Sequence, residues 1–119
     1  MVSIAPWLSV MDGAKAVEFY KAAFGAVEVY RLDVPGGGVV ARLSVDGAEF
    51  WLSGDSPMFS GDSPIRMILT VPDPDTVFAR ALSAGASEVF PVGEEHGWRL
   101  GRLADPFGHH WEIGRPLVD

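Results

Sequence analysis

Two stretches decide the fold: Val17–Val29, VEFYKAAFGAVEV, and Val77–Val89, VFARALSAGASEV. They lie sixty residues apart, and at that offset Gly25 meets Gly85, Ala26 meets Ala86 and Glu28 meets Glu88. The match continues downstream, pairing Gly37 with Gly97, Arg42-Leu43 with Arg102-Leu103 and Trp51 with Trp111. One constant offset across so many pairs marks a tandem duplication of a unit of about 60 residues.

Each unit reads strand, helix, then three strands, an α+β pattern. In the first, Ile4–Val10 is a short apolar strand and Asp12 is placed to accept free N–H groups at the start of a helix. Ala16, Val17, Tyr20, Ala23 and Phe24 recur at helical spacing, and Gly25 stops the helix. Strands follow at Val27–Leu32, Val39–Val45 and Glu49–Ser53, with Pro35-Gly36-Gly37-Gly38 and Asp46-Gly47 as turns. A turn-rich run, Gly54 to Pro64, separates the units. In the second, Ile65–Val71 is a strand, and Asp73-Pro74 opens a helix with an apolar stripe of Val77, Phe78, Ala81 and Leu82, stopped by Gly85. Strands near Glu88–Pro91, Trp98–Ala104 and His109–Gly114 complete it. The expected organisation is one domain over 1–119, built from modules 1–54 and 65–119. Neither module alone has the apolar surface to stand by itself, so each packs on the other or on a second chain.

Composition narrows the function. The 119 residues contain no cysteine, which removes thiol nucleophiles, thiolate zinc sites and disulfide scaffolds. Sixteen acids against nine bases give a net charge of −7, which argues against nucleic acid and anionic membranes as partners. No apolar run approaches ~18–20 residues, no signal peptide is expected at the N-terminus, and the expected location is the cytoplasm. No Ser–His–Asp spacing is visible, and Gly36-Gly37-Gly38 lies between strands, so it is a hairpin and not a phosphate loop.

DGAKAVEFYKAAFGA after the first strand and LADPFGHHWEI near the C-terminus, set in a βαβββ duplication, resemble the vicinal oxygen chelate superfamily, and within it the PhnB-like branch. That superfamily includes glyoxalase I, bleomycin-resistance proteins, fosfomycin-resistance enzymes and extradiol dioxygenases. The resemblance implies paired βαβββ modules forming an open cup-shaped barrel, a homodimer, and a ligand in the cup, often beside a divalent metal. In metal-using relatives the ligands are His or Glu on the first and last strands of each module, where the ion polarises a substrate oxygen. Carried over, those positions fall on Ala5, Leu52, Arg66 and Glu112, so one donor in four survives. An arginine ~4 Å from a divalent ion would repel it by roughly 8 kcal/mol at an effective dielectric of 20. The expectation is therefore no family metal and no other cofactor. A two-ligand rescue by His110 and Glu112, with His96 as a third donor, is the alternative.

Alternation along the strands places Trp7, Ser9, Phe50, Leu52, Ile68, Thr70, His110 and Glu112 towards the cup, and Leu8, Val10, Trp51, Trp111 and Ile113 towards the helices. Trp7 and Phe50 are then candidates for an aromatic ligand wall, while the repeat mates Trp51 and Trp111 read as core. Arg42, Arg66 and Arg102 can grip a carboxylate or phosphonate through a bidentate fork. Equally, Arg66 can pair with Glu112 in place of a metal. Asp105 supports the turn before the last strand. The reading is a small-molecule-binding protein whose cup is lined by aromatic residues and arginines. The arginines suit an anionic guest and the acidic total charge suits a cationic one. The alternative is a lyase, isomerase or dioxygenase that uses Glu112 as general base or, with His110, around a non-standard metal.

Overall fold

A computed structural model of the chain describes residues 4–35, 38–54 and 66–117. It divides into two compact units, Met1–Met58 and Phe59–Asp119. The first contains β1 (Trp7–Ser9), α1 (Gly13–Phe24), β2 (Val27–Val34), β3 (Gly38–Val45) and β4 (Ala48–Ser53). The second contains β5 (Arg66–Thr70), α2 (Pro74–Ala84), β6 (Ser87–Glu95), β7 (Trp98–Ala104) and β8 (His110–Pro116). The sheet orders are β1-β4-β3-β2 and β5-β8-β7-β6, with the first strand of each unit parallel to its last and the other pairs antiparallel. The same α+β topology therefore occurs twice, as the repeat requires.

Both helices start and stop where local chemistry directs. The Asp12 carboxylate accepts from Lys15 N at 3.1 Å, and Gly25 closes α1 in the left-handed region at φ 71°. Asp73 accepts from Thr76 N and from the Thr76 hydroxyl, Pro74 occupies the first turn, and Gly85 ends α2 at φ 124°. Lys21 near the end of α1 pairs with Glu18 and Glu28, and hydrogen bonding to Glu28 raises its pKa.

Helix α1 packs on β3 and buries Ala16, Val17, Phe19, Tyr20, Ala23 and Phe24 against Leu8, Val10, Val39, Ala41, Leu43, Phe50 and Leu52. Gly13 and Gly54 approach so closely that a Cβ on Gly54 would lie 2.3 Å from Gly13 N. Helix α2 packs on β6, β7 and β8, burying Phe78 and Ala81 in a core with Leu103, Trp111 and Ile113. Gly101 admits it, since a Cβ there would stand 2.9 Å from Phe78 Cε2. Arg99 on β7 forks onto Asp75 of α2 with two contacts of 2.7 Å.

Several boundaries differ from the sequence expectation. The first strand covers only Trp7–Ser9, because Pro6 has no N–H to donate and only its carbonyl joins the ladder, accepting from Trp51 N at 2.8 Å. Strand β2 runs on to Val34, β6 to Glu95 and β8 to Pro116. The expected turn at Gly36-Gly37 and most of the Gly54 to Pro64 run lie outside the described residues. No helix among the described residues is long and apolar enough to cross a membrane.

Candidate functional site

Each sheet has one face under its helix and one face turned away from it. Residues opposite each other on neighbouring strands share a face, so the strand register reads out each helix-free face as rows. In the first unit Tyr30, Arg42, Trp51 and Trp7 are successive partners across β2, β3, β4 and β1. Trp7 and Trp51 stack with centroids 5.5 Å apart and planes 7° from parallel. The Arg42 guanidinium lies 5.3 Å from the Trp51 ring centroid, and the Tyr30 ring stands 6.0 Å from it, tilted by 56°. Arg42 also pairs with Glu49 at 3.5 Å, and Trp7 Nε1 donates to Ser53 Oγ at 3.0 Å, which fixes the indole plane. Trp7 remains 53% exposed.

In the second unit the equivalent row is Phe90, Arg102, Glu112 and Ile68 across β6, β7, β8 and β5. The next row contains Ala104, His110 and Arg66. Arg66 Nε meets Glu112 Oε2 at 2.8 Å, so the ion pair left open as one role for Arg66 is present; Glu112 is 14% exposed and Arg66 52%. Arg102 Nε and His110 Nδ1, like Arg42 Nε in the first unit, are buried with no hydrogen-bond partner among the described residues.

One turn explains both the likeness and the difference of these rows. Asp46 (φ 52°) and Gly47 (φ 95°) form a tight hairpin that opposes Ser44 to Glu49, so that Arg42 meets Trp51. The β7–β8 turn is one residue longer, opposing Ala104 to His110, so that Arg102 meets Glu112. Asp105 holds this longer turn: one oxygen accepts from Phe107 N and His109 N, and the other from the Trp111 indole at 2.9 Å. The structural counterpart of Glu112 is therefore Trp51, and the offset of sixty slips to sixty-one after this turn.

That slip corrects the β4 expectation. Phe50 and Leu52 do not line the helix-free face. Phe50 is buried with its ring 5.1 Å from Tyr20, and Leu52 is fully buried on the α1 side. Trp51, expected in the core, belongs to the helix-free face instead. Alternation predicts the other strands correctly: Trp7 and Ser9 share a face with Arg42, and Ile68, Thr70, Arg66, His110, Glu112 and Arg102 come together in the second unit. Trp111 is buried core. Tyr30 and Phe90 were missed because each follows a bulge, at Val29 and Val89, that resets alternation. Their signal was a shared offset of sixty, the same that pairs Arg42 with Arg102.

The donor set does not fit the superfamily's metal. With the register corrected, the fourth-strand position is Trp51, which has no ligand atom, and Glu112 is engaged by Arg66. Among the described residues no three His, Asp or Glu side chains converge. His96 stands at a hairpin tip at φ 52°, 89% exposed beside Glu95, and does not join His110 and Glu112.

Twin βαβββ units with a parallel first and last strand, and a helix-free face on each sheet, define the vicinal oxygen chelate class. Residues 7–114 match the glyoxalase-like domain, and the chain belongs to that family. An uncharacterized protein of Mycobacterium bovis is 39% identical, the match covering 97% of this chain and 84% of that protein. The crystal structure of an Arabidopsis thaliana gene product is 31% identical with a TM-score of 0.74, covering 97% of this chain and 99% of that one. The fosfomycin resistance protein FosX of Listeria monocytogenes shares the fold at a TM-score of 0.80 with 16% identity, over 98% and 95% of the two chains.

Proposed function

We propose that this chain binds a small organic molecule on its helix-free sheet faces without the superfamily's divalent metal. The observation that carries this reading is the parallel Trp7–Trp51 stack, an indole plate left half open and braced by Ser53, Arg42 and Tyr30. Buried aromatic pairs serve packing. Here one member is more than half exposed, although folding gains nothing from apolar surface left in water. A planar guest covering about 100 Å² of that plate would gain roughly 2.5 kcal/mol. A catalytic reading would rest on Glu112, whose carboxylate is taken up by Arg66 and has no converging partner donors for an ion.

Titration of tryptophan fluorescence with a panel of planar aromatic compounds tests the proposal. Saturable quenching is expected from at least one compound, with Trp51→Ala weakening it about tenfold, since loss of a stacking surface costs about 1–1.5 kcal/mol. Absence of saturable binding across the panel, or binding indifferent to both Trp7→Ala and Trp51→Ala, overturns it.

A further inference from the structure

The two rows are charged differently. In the first unit Arg42 pairs with Glu49 at 3.5 Å, although its Nε too is buried without a hydrogen bond. In the second, the adjacent rows hold two guanidiniums, Arg66 and Arg102, and one carboxylate, Glu112, which is bound to Arg66; Glu95, a further carboxylate on this face, lies opposite Trp98, two rows from Arg102. Arg102 has no ion-pair partner among the described residues, and its Nε is buried without a hydrogen bond. On the neighbouring strand His110 Nδ1 is also buried and unpartnered. A chain with a net charge of −7 thus keeps a guanidinium without an ion-pair partner in these rows, its own Nε and the neighbouring His110 Nδ1 both orphaned. Leaving such a group unsatisfied costs about 1–3 kcal/mol, which favours an acceptor beside Arg102 Nε. Phe90 and Ile68, which flank this row, offer the acceptor's carbon skeleton an apolar seat.

We propose that the second sheet's helix-free face is a carboxylate subsite: Arg102 Nε–H, with His110, takes the carboxylate of a monoanionic organic acid whose apolar body lies over Phe90 and Ile68. This rests on the small-molecule reading above and names its ligand class. A single guanidinium without an ion-pair partner in these rows matches a single negative charge. A guanidinium presents its donors in a plane that fits the two oxygens of a carboxylate, and Glu112 keeps Arg66 from competing for the same group.

The test is an NMR titration of the full chain with benzoate, its neutral isostere benzamide and the cation benzylammonium. Backbone amides of β7 and β8 and the Arg102 Nε–H, assigned by its loss in Arg102→Lys, are followed together with the Trp7 and Trp51 indole N–H signals. Benzoate is expected to shift the Arg102 Nε–H and the His110 region saturably, benzamide and benzylammonium to leave them in place, and Arg102→Lys to weaken benzoate about tenfold. If Arg102→Lys does not fold, the β7 and β8 amides of the unsubstituted chain give the same discrimination. Equal response to benzoate and benzamide, or none to benzoate, overturns the carboxylate subsite. In that event, saturable shifts of the Trp7 and Trp51 indoles with any of the three probes leave the broader binding proposal standing, so the two failures are told apart.

Discussion

The two units share a plan and differ in its middle. Their helix-free rows, Tyr30–Arg42–Trp51–Trp7 and Phe90–Arg102–Glu112–Ile68, agree on β2 and β3 and on their counterparts β6 and β7, where an aromatic ring precedes an arginine each time. They diverge on the last and first strands, where one unit has stacked indoles and the other a carboxylate and an isoleucine. Those first and last strands are the ones from which metal-using members of the superfamily draw their ligands. Duplication has thus preserved the scaffold, both bulges included, while the positions on the first and last strands have become an aromatic plate in one unit and an ion-paired cationic patch in the other.

The register of β4 gives the largest contrast to break. Leu52→Ala is expected to cost about 2–5 kcal/mol by opening a cavity beneath α1, whereas Trp51→Ala, on the opposite face, is expected to cost under about 2 kcal/mol. Urea unfolding of both variants measures this, and the reverse order would mean that β4 is turned over. The two hairpins come next. Asp105→Ala is expected to destabilise by about 3 kcal/mol, because it strips a buried acceptor from two backbone N–H groups and an indole. Asp46→Ala only places alanine in the left-handed region and is expected to cost about 1 kcal/mol. Glu112→Gln sharpens the charge contrast: stability should change by less than about 1 kcal/mol because Arg66 is half exposed, while benzoate binding tightens. Calorimetry with the variant reads that gain.

The smallest effect is a pH dependence confined to the second unit. Hydrogen bonding from Arg99 lowers the pKa of the Asp75 carboxyl. A carboxyl whose pKa is lower folded than unfolded adds stability above its unfolded value, near 3.9, and loses it as pH falls through the folded one. Asp75→Asn should therefore lower the melting temperature slightly at neutral pH and flatten the acid limb of the melting curve against pH. Parallel acid limbs in the two proteins would contradict the assignment.

What was legible in the sequence was whatever local chemistry dictates. Asp12, Gly25, Asp73, Pro74 and Gly85 marked the helix ends, and the repeat marked the topology. Side-chain facing was legible only where a strand could be read alone, as for Trp7 on β1 and Glu112 on β8. It failed for Phe50, Leu52 and Trp51 because their facing is set by the partner strand through the length of a turn. Counting across Asp46-Gly47 as a two-residue hairpin would have placed Trp51 opposite Arg42. Carrying the repeat across it instead imported the register of a turn one residue longer. Tyr30 and Phe90 were hidden for a related reason, since a bulge leaves no mark in hydrophobic alternation.

An arginine–carboxylate pair and a tryptophan stand at the positions carried over from the superfamily's metal-using members. Elemental analysis of the purified chain, incubated with Mn²⁺, Ni²⁺ and Zn²⁺ in turn and dialysed, tests it most directly. No stoichiometric ion is expected with any of the three. About one divalent ion per chain, retained through dialysis and lost in Glu112→Gln, would contradict it.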